Sequence, residues 1–201
     1  MSDLAAAKDA ARKAGLAARK AAAAADAKAA AAGAPSAARR AAAVFLDAFP
    51  LEPGLIVAGY RPLRDELDPT PLMTALIARG ARLAAPEVIA PEAPLVFRAW
   101  TPEAPMRPGA FGAEVPIGAE ALTPTLVLAP LAAFDRGGAR CGYGGGYYDR
   151  SLAMLRAAAP TRAIGLAFAA QEAAALPTEP TDEPLDAVVT EREFIRCAHA
   201  P

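Results

Sequence analysis

The stretch Phe134-Asp135-Arg136-Gly137-Gly138-Ala139-Arg140-Cys141-Gly142-Tyr143-Gly144-Gly145-Gly146-Tyr147-Tyr148-Asp149-Arg150 decides how this chain is read. Before it lies the apolar run 125–128, which has the character of a strand, and from Tyr147 onward residues 147–158 read as a helix. Gly142, Gly144, Gly145 and Gly146 therefore stand where a strand hands over to a helix. A segment stripped of Cβ atoms can take positive φ and turn several backbone N–H groups toward one anion at the helix N-terminus. A phosphate is the ligand that such a loop fits. It is not a P-loop, because the Gly-Lys-Ser/Thr ending is absent, and the glycine spacing does not satisfy GxGxxG. A turn that only serves backbone geometry before a helix is the other reading of these glycines. Two neighbours favour the phosphate. Arg140 can pair with phosphate oxygens, whereas Asp149 in the first helical turn would repel them unless a divalent cation lay between.

Working outward, alanine dominates from Asp3 to about residue 32 with Lys and Arg interspersed, a strong helix signal that Gly33 and Pro35 end. Ser36 is placed to cap a second helix running toward Phe49. Short apolar runs at 55–58, 82–85, 95–100, 162–168 and 187–190 then alternate with helical segments at 69–79 and 147–158. This alternation predicts an α/β fold with a mainly parallel central sheet flanked by helices. Ligands in such sheets collect beyond the carboxyl ends of the strands, which singles out residues 59–66, 130–149, 169–171 and the neighbourhood of Asp186. The proline-rich region 102–116 reads as a surface excursion, and the whole chain, residues 1–201, as one domain.

Composition excludes several classes of function. An apolar fraction of 54% is ample for a core. No run approaches the roughly 18 to 20 strongly apolar residues of a membrane span. Cys141 and Cys197 lack CxxC spacing, and no secretory signal opens the sequence, so a soluble protein of the reducing cytoplasm is expected. Residues 1–43 are basic and the remainder acidic, but no interleaving of aromatic and basic residues marks a nucleic-acid module. The alternatives for the basic segment are a solvated helix face or a few cations aimed at a polyanionic small molecule. On a helix Lys8, Arg12 and Arg19 share one face, since Arg12 and Arg19 fall roughly 40° and 20° from Lys8. His199 is the only histidine and reads as incidental.

Residues 130–135 together with the block from Gly142 to Arg150 resemble the signature of 5-formyltetrahydrofolate cyclo-ligases, also called 5,10-methenyltetrahydrofolate synthetases. Weaker pieces arrive in the same order. Lys8-Asp9-Ala10-Ala11-Arg12 is similar to the family's K-x-x-x-R element, residues 60–68 to its acidic loop, and residues 164–171 and 184–190 to its closing segments. Two departures stand out: Cys141 where an aliphatic residue is usual, and Glu114-Val115-Pro116 in place of a contiguous Glu-Pro.

The resemblance implies a fold related to the NagB/RpiA/CoA-transferase group and an ATP- and Mg²⁺-dependent ring closure of 5-formyltetrahydrofolate. It assigns Lys8, Arg12, Arg140, Gly142, Tyr143, Gly144, Gly145, Gly146, Tyr147, Tyr148 and Asp149 to ATP, with Arg140 and Tyr148 at the reacting centre. Tyr60, Glu66, Gly144, Gly145, Gly146, Tyr147 and Tyr148 go to the folate, and Asp149 and Asp186 to the metal. Arg19 is left as structural, Asp135 as part of a turn with Gly137 and Gly138, and Trp100 and Phe111 are not assigned. A monomer or weak dimer is expected. The competing functions are an ATP-binding relative acting on another substrate, which would tolerate loss of Glu66, and a nucleotide-sensing module that binds phosphate without turnover.

Overall fold

The computed structural model describes residues 3–198, so His199 lies outside the described residues. In chain order the elements are helices α1 (Asp3–Ala31) and α2 (Ala37–Ala48), strand β1 (Ile56–Ala58), helix α3 (Thr70–Ile77) and strands β2 (Arg82–Glu87) and β3 (Val96–Trp100). There follow β4 (Met106–Pro108), β5 (Glu114–Pro116), β6 (Leu126–Pro130), β7 (Ala133–Phe134), β8 (Arg140–Cys141), helix α4 (Tyr147–Ala158), and strands β9 (Arg162–Leu166), β10 (Ala187–Val189) and β11 (Phe194–Arg196).

Seven strands form the central sheet in the order β11-β10-β9-β6-β1-β2-β3. The inner five are parallel, while β3 and β11 pair antiparallel at the two edges. The expected mainly parallel sheet is therefore present. Period-two alternation divides its residues between two cores. Val57, Leu126, Leu128, Ile164 and Leu166 pack with Phe45 of α2 and with Leu72 and Leu76 of α3. Ala58, Val127, Ala129, Ala163 and Val188 face the other way, onto Leu152 and Leu155 of α4.

Local chemistry fixes where the helices begin. The Ser36 hydroxyl accepts the Arg39 N–H at 3.3 Å, the cap expected for α2. Asp26 accepts the Ala37 N–H at 2.7 Å and so ties the end of α1 to the start of α2. At Gly15 a Cβ would stand 2.4 Å from the Ala132 carbonyl oxygen, so only glycine lets α1 lie this close to the turn after β6. That close approach brings Lys8, Arg12 and Arg19 to the carboxyl ends of the strands. No described helix is long and apolar enough to cross a membrane.

Candidate active site

Beyond the carboxyl end of β6 the chain doubles back as the ribbon β7–β8 and enters the glycine loop at Gly142. Asp135 closes the ribbon's turn, as expected. Its carbonyl accepts the Gly138 N–H, and its carboxylate accepts the N–H groups of Ala139 at 3.1 Å and Leu176 at 2.9 Å. Within the glycine loop positive φ is confined to Gly144 (93°) and Gly146 (65°). At Gly145 the constraint is different: a Cβ would stand 2.9 Å from the Tyr147 ring. Gly146 is the N-cap of α4 and supplies no side chain to its first turn, so those backbone N–H groups have no side-chain acceptor at the cap.

A cleft of about 870 Å³ opens over this loop, and cations from two directions converge on it. From α1, Arg12 Nε donates to the Gly142 carbonyl at 2.8 Å, and Lys8 Nζ lies 2.5 Å from Asp182 and 3.1 Å from Glu179. From β8, the Arg140 guanidinium donates to Asp149 Oδ1 at 2.6 Å and to the Glu183 carbonyl. The Arg140 side chain is only 5% exposed and needs those acceptors. Arg150 donates to the Gly145 carbonyl at 2.7 Å, with its guanidinium 5.1 Å from the Tyr147 ring centroid.

The opposite wall comes from the loop after β1. The Glu66 side chain is 4% exposed, and burial pushes its carboxyl above the usual range. The Leu63 N–H at 2.8 Å, Arg19 and the Tyr143 hydroxyl oppose that shift without cancelling it. Tyr60 is buried, and its hydroxyl donates to the Leu67 carbonyl, so that proton is already committed. Burial, with Glu66 adding to it, raises Tyr148 well above the ordinary phenol value, although Arg140 pulls the other way. Tyr148 is accordingly a neutral hydrogen-bond donor near neutral pH and not a phenolate base.

Lys8, Arg12, Tyr60, Glu66, Arg140 and every residue from Gly142 to Asp149 line this one cleft. Asp186 does not, which corrects its assignment to the metal. It precedes β10 and so stands at the amino end of a parallel strand, the opposite edge of the sheet from the cleft. Its Oδ2 accepts the Ala163 N–H at 2.6 Å and Arg156 Nη2 at 2.9 Å. Asp149 remains as a candidate for Mg²⁺: its side chain is 27% exposed and lines the cleft. A single carboxylate suits this ion, which keeps several waters and takes one or two carboxylates plus substrate phosphates. Among the described residues no group of three or more His, Cys, Asp or Glu could hold a metal.

The model of the 5-formyltetrahydrofolate cyclo-ligase family matches residues 5–191 of this chain. The chain belongs to that family. A 5-formyltetrahydrofolate cyclo-ligase from Haemophilus influenzae is 37% identical over 98 residues, 45% of this chain and 51% of the relative. One from Escherichia coli K12 is 45% identical over 65 residues, 32% of this chain and 35% of the relative. The matched part thus spans about half the length of the first relative and about a third of the second. The NMR structure of Aquifex aeolicus 5,10-methenyltetrahydrofolate synthetase superposes with a TM-score of 0.65 at 26% identity, covering 82% of each chain. A 5,10-methenyltetrahydrofolate synthetase from Mycoplasma pneumoniae shares the fold, with a TM-score of 0.67 at 21% identity over 92% of this chain and 99% of that one.

Sequence reasoning left three contributors in and around the cleft without a role. The surface excursion 102–116 forms the hairpin β4–β5, whose tip presents Phe111, left unassigned from sequence, at positive φ (57°), edge-on to Tyr147 with ring centroids 5.9 Å apart. Glu179 and Asp182 come from a segment without regular structure, and only its proximity to Asp186 in sequence pointed toward it. Arg19, read as structural, is 1% exposed and bonds both Asp65 and Tyr143. Its place on the Lys8–Arg12 face was the available signal.

Proposed function

We propose that this protein uses ATP and Mg²⁺ to convert 5-formyltetrahydrofolate into 5,10-methenyltetrahydrofolate, releasing ADP and phosphate. The observation that carries the reading is the meeting, in one cleft, of a glycine loop flanked by Lys8, Arg12 and Arg140 with a wall of Tyr60, Glu66 and Tyr148. One side suits a polyphosphate, and the other a flat heterocycle bearing hydrogen-bond donors. Family membership supports the same reading.

The chemistry explains why ATP is needed. A formamide oxygen is a poor leaving group, so N10 of the folate cannot displace it directly. The formyl oxygen attacks the γ-phosphorus, the bond to ADP breaks, and the formyl carbon is left carrying a phosphate on an imidate-like centre. N10 adds to that carbon and gives up its proton, the carbon–oxygen bond to phosphate breaks, and the N5–CH–N10 bridge remains. No protein nucleophile takes part. Positioning and charge neutralisation carry the catalysis. Lys8, Arg12, Arg140 and the loop N–H groups meet the phosphates, and neutral Tyr148 donates toward the oxygen being phosphorylated. Glu66 accepts from donors of the pterin ring. Mg²⁺ held at Asp149 would offset phosphate charge during the transfer. The free, buried Cys141 and Cys197 fit a reducing compartment, the cytoplasm.

The test is a paired assay: methenyl-folate absorbance with and without ATP, and phosphate release with and without the formyl-folate. Both signals should require both substrates and a divalent cation. Ring closure by EDTA-treated, nucleotide-free protein would overturn the mechanism, and phosphate release indifferent to the folate would move the protein to another substrate.

A further inference from the structure

Arg19 is charged, almost wholly buried, and bonded to two different loops of the cleft. Its Nε and Nη2 donate to Asp65 Oδ1 at 3.2 and 2.7 Å, on the loop after β1. The same Nη2 donates to the Tyr143 hydroxyl at 2.7 Å, inside the glycine loop, and the Tyr143 ring centroid lies 5.5 Å from the guanidinium carbon. Nη1 faces Glu66 Oε1 at 3.6 Å and has no hydrogen-bond partner among the described residues. Tyr143 thus holds one end of the guanidinium through its hydroxyl, while the other end faces Glu66 through Nη1. One guanidinium therefore joins the loop read as meeting the nucleotide to the acid read as meeting the folate.

A buried donor left without a bond is costly, and Arg19 can recover that cost by a shift of a few tenths of an ångström toward Glu66. Two arrangements of the cluster follow, one with Nη1 satisfied and one without. Whatever draws the glycine loop inward moves Tyr143, which stands between Gly142 and Gly144, and so bears on Arg19 and then on Glu66. Loss of a merely structural arginine would lower stability and weaken both ligands alike.

From this cluster, and resting on the reading of the cleft as a joint ATP and formyl-folate site, we infer that Arg19 is a positioning residue through which each ligand strengthens binding of the other. The coupling has to be reciprocal by thermodynamic necessity.

The experiment is calorimetric titration of 5-formyltetrahydrofolate into the full chain, with and without a saturating non-hydrolysable ATP analogue and Mg²⁺. In the parent the analogue tightens folate binding by at least about fivefold, the lower end of ordinary allosteric coupling. Tyr143→Phe removes one hydroxyl from a ring that is 47% exposed, and so leaves the fold in place. It brings the ratio of the two affinities to within about twofold of unity, as does Arg19→Met, and the double variant goes no further. A Tyr143→Phe protein that keeps the parent ratio overturns the inference, even if Arg19→Met fails to fold. A parent that binds both ligands with no effect of one on the other overturns it too. A parent that binds no formyl-folate overturns the functional reading as well, and this is seen before any variant is made.

Discussion

Asp149→Asn separates the task that the structure gives this carboxylate, holding Arg140, from the one proposed for it, holding Mg²⁺. Asparagine keeps an oxygen where Asp149 Oδ1 accepts Arg140 Nη2 at 2.6 Å and the Glu183 N–H at 3.1 Å, so both hydrogen bonds can persist and only the charge is removed. Charge-assisted bonds are roughly twice as strong as neutral ones, and breaking a fully buried pair costs about 3–5 kcal/mol. Arg140 is 5% exposed but Asp149 is 27% exposed, so water shares the work. We therefore expect a loss of about 1–2 kcal/mol. For a chain of this size that lowers Tm by about 2–8 °C. The functional loss should be larger. Without the carboxylate the Mg²⁺-dependent gain in ATP affinity should vanish, and turnover should fall by at least about a hundredfold, the scale of one lost group at a centre of developing charge. Differential scanning fluorimetry, ATP titrations with and without Mg²⁺, and the methenyl-folate assay measure the three quantities. If Asp149 only favours the helix N-terminus, the variant loses about 0.3–1 kcal/mol and keeps both its Mg²⁺ titration and its activity. That pattern would refute the reasoning.

Lys8→Ala and Arg12→Ala should each weaken ATP binding by about 10- to 100-fold, the equivalent of one charge-assisted hydrogen bond, and formyl-folate binding far less; equal loss of both ligands in the two titrations would return α1 to a solvated face. Gly144→Val should abolish nucleotide binding, because the backbone there has φ 93° and its Cβ would stand 3.4 Å from Arg12, whereas Gly142→Ala, with nothing within 4 Å of its Cβ, should bind like the parent. Glu66→Gln should raise the melting temperature at pH 7 while weakening formyl-folate binding. The carboxyl is raised in the folded protein, so the parent loses stability as pH climbs from the ordinary value of 4.5 through the raised one, and the variant's advantage should disappear below about pH 4.5. A constant difference across that range would count against Glu66 as the buried acid.

The elements that were legible in the sequence are those whose ends carry their own chemistry. Helix α4 runs over Tyr147–Ala158, as expected, because Gly146 in the left-handed region starts it and Ala159 in extended geometry, followed by Pro160, stops it. Helix α1 likewise stops at Ala31, just ahead of Gly33 and Pro35. The ribbons β4–β5 and β7–β8, with strands of two or three residues, are too short to show a period and, β7 apart, lack the all-apolar run that marked the equally short β1 and β10; β11 was missed for the same reason. Alternation also carries no strand direction, so the antiparallel edges could not be foreseen. At the site, the residues from Gly142 to Asp149 were visible because spacing and chemistry are local there. Arg19 was not, since its partners are 46 and 124 residues away and only the fold shows that its face of α1 is covered.

On the proposed reading, the charges of the cleft should favour the entry of nucleotide and metal together. Each cation read as meeting phosphate already has a carboxylate: Arg140 has Asp149, Lys8 has Asp182 and Glu179, and Arg12 has Asp9. A phosphate that takes over one of these cations leaves its carboxylate uncompensated and facing the incoming charge. The consequence scales with burial. Asp9 is 44% exposed and water can stabilise it, whereas Asp182 and Asp149 are 26% and 27% exposed and each keeps one backbone N–H, from Glu179 and from Glu183, so position decides between these two. Asp149 stands in the first turn of α4, beside the loop where the phosphates are expected, so it meets the strongest repulsion. A divalent cation at Asp149 turns that repulsion into a bridge. The benefit of Mg²⁺ to ATP binding should therefore concentrate at Asp149, and Asp182→Asn should leave most of it intact.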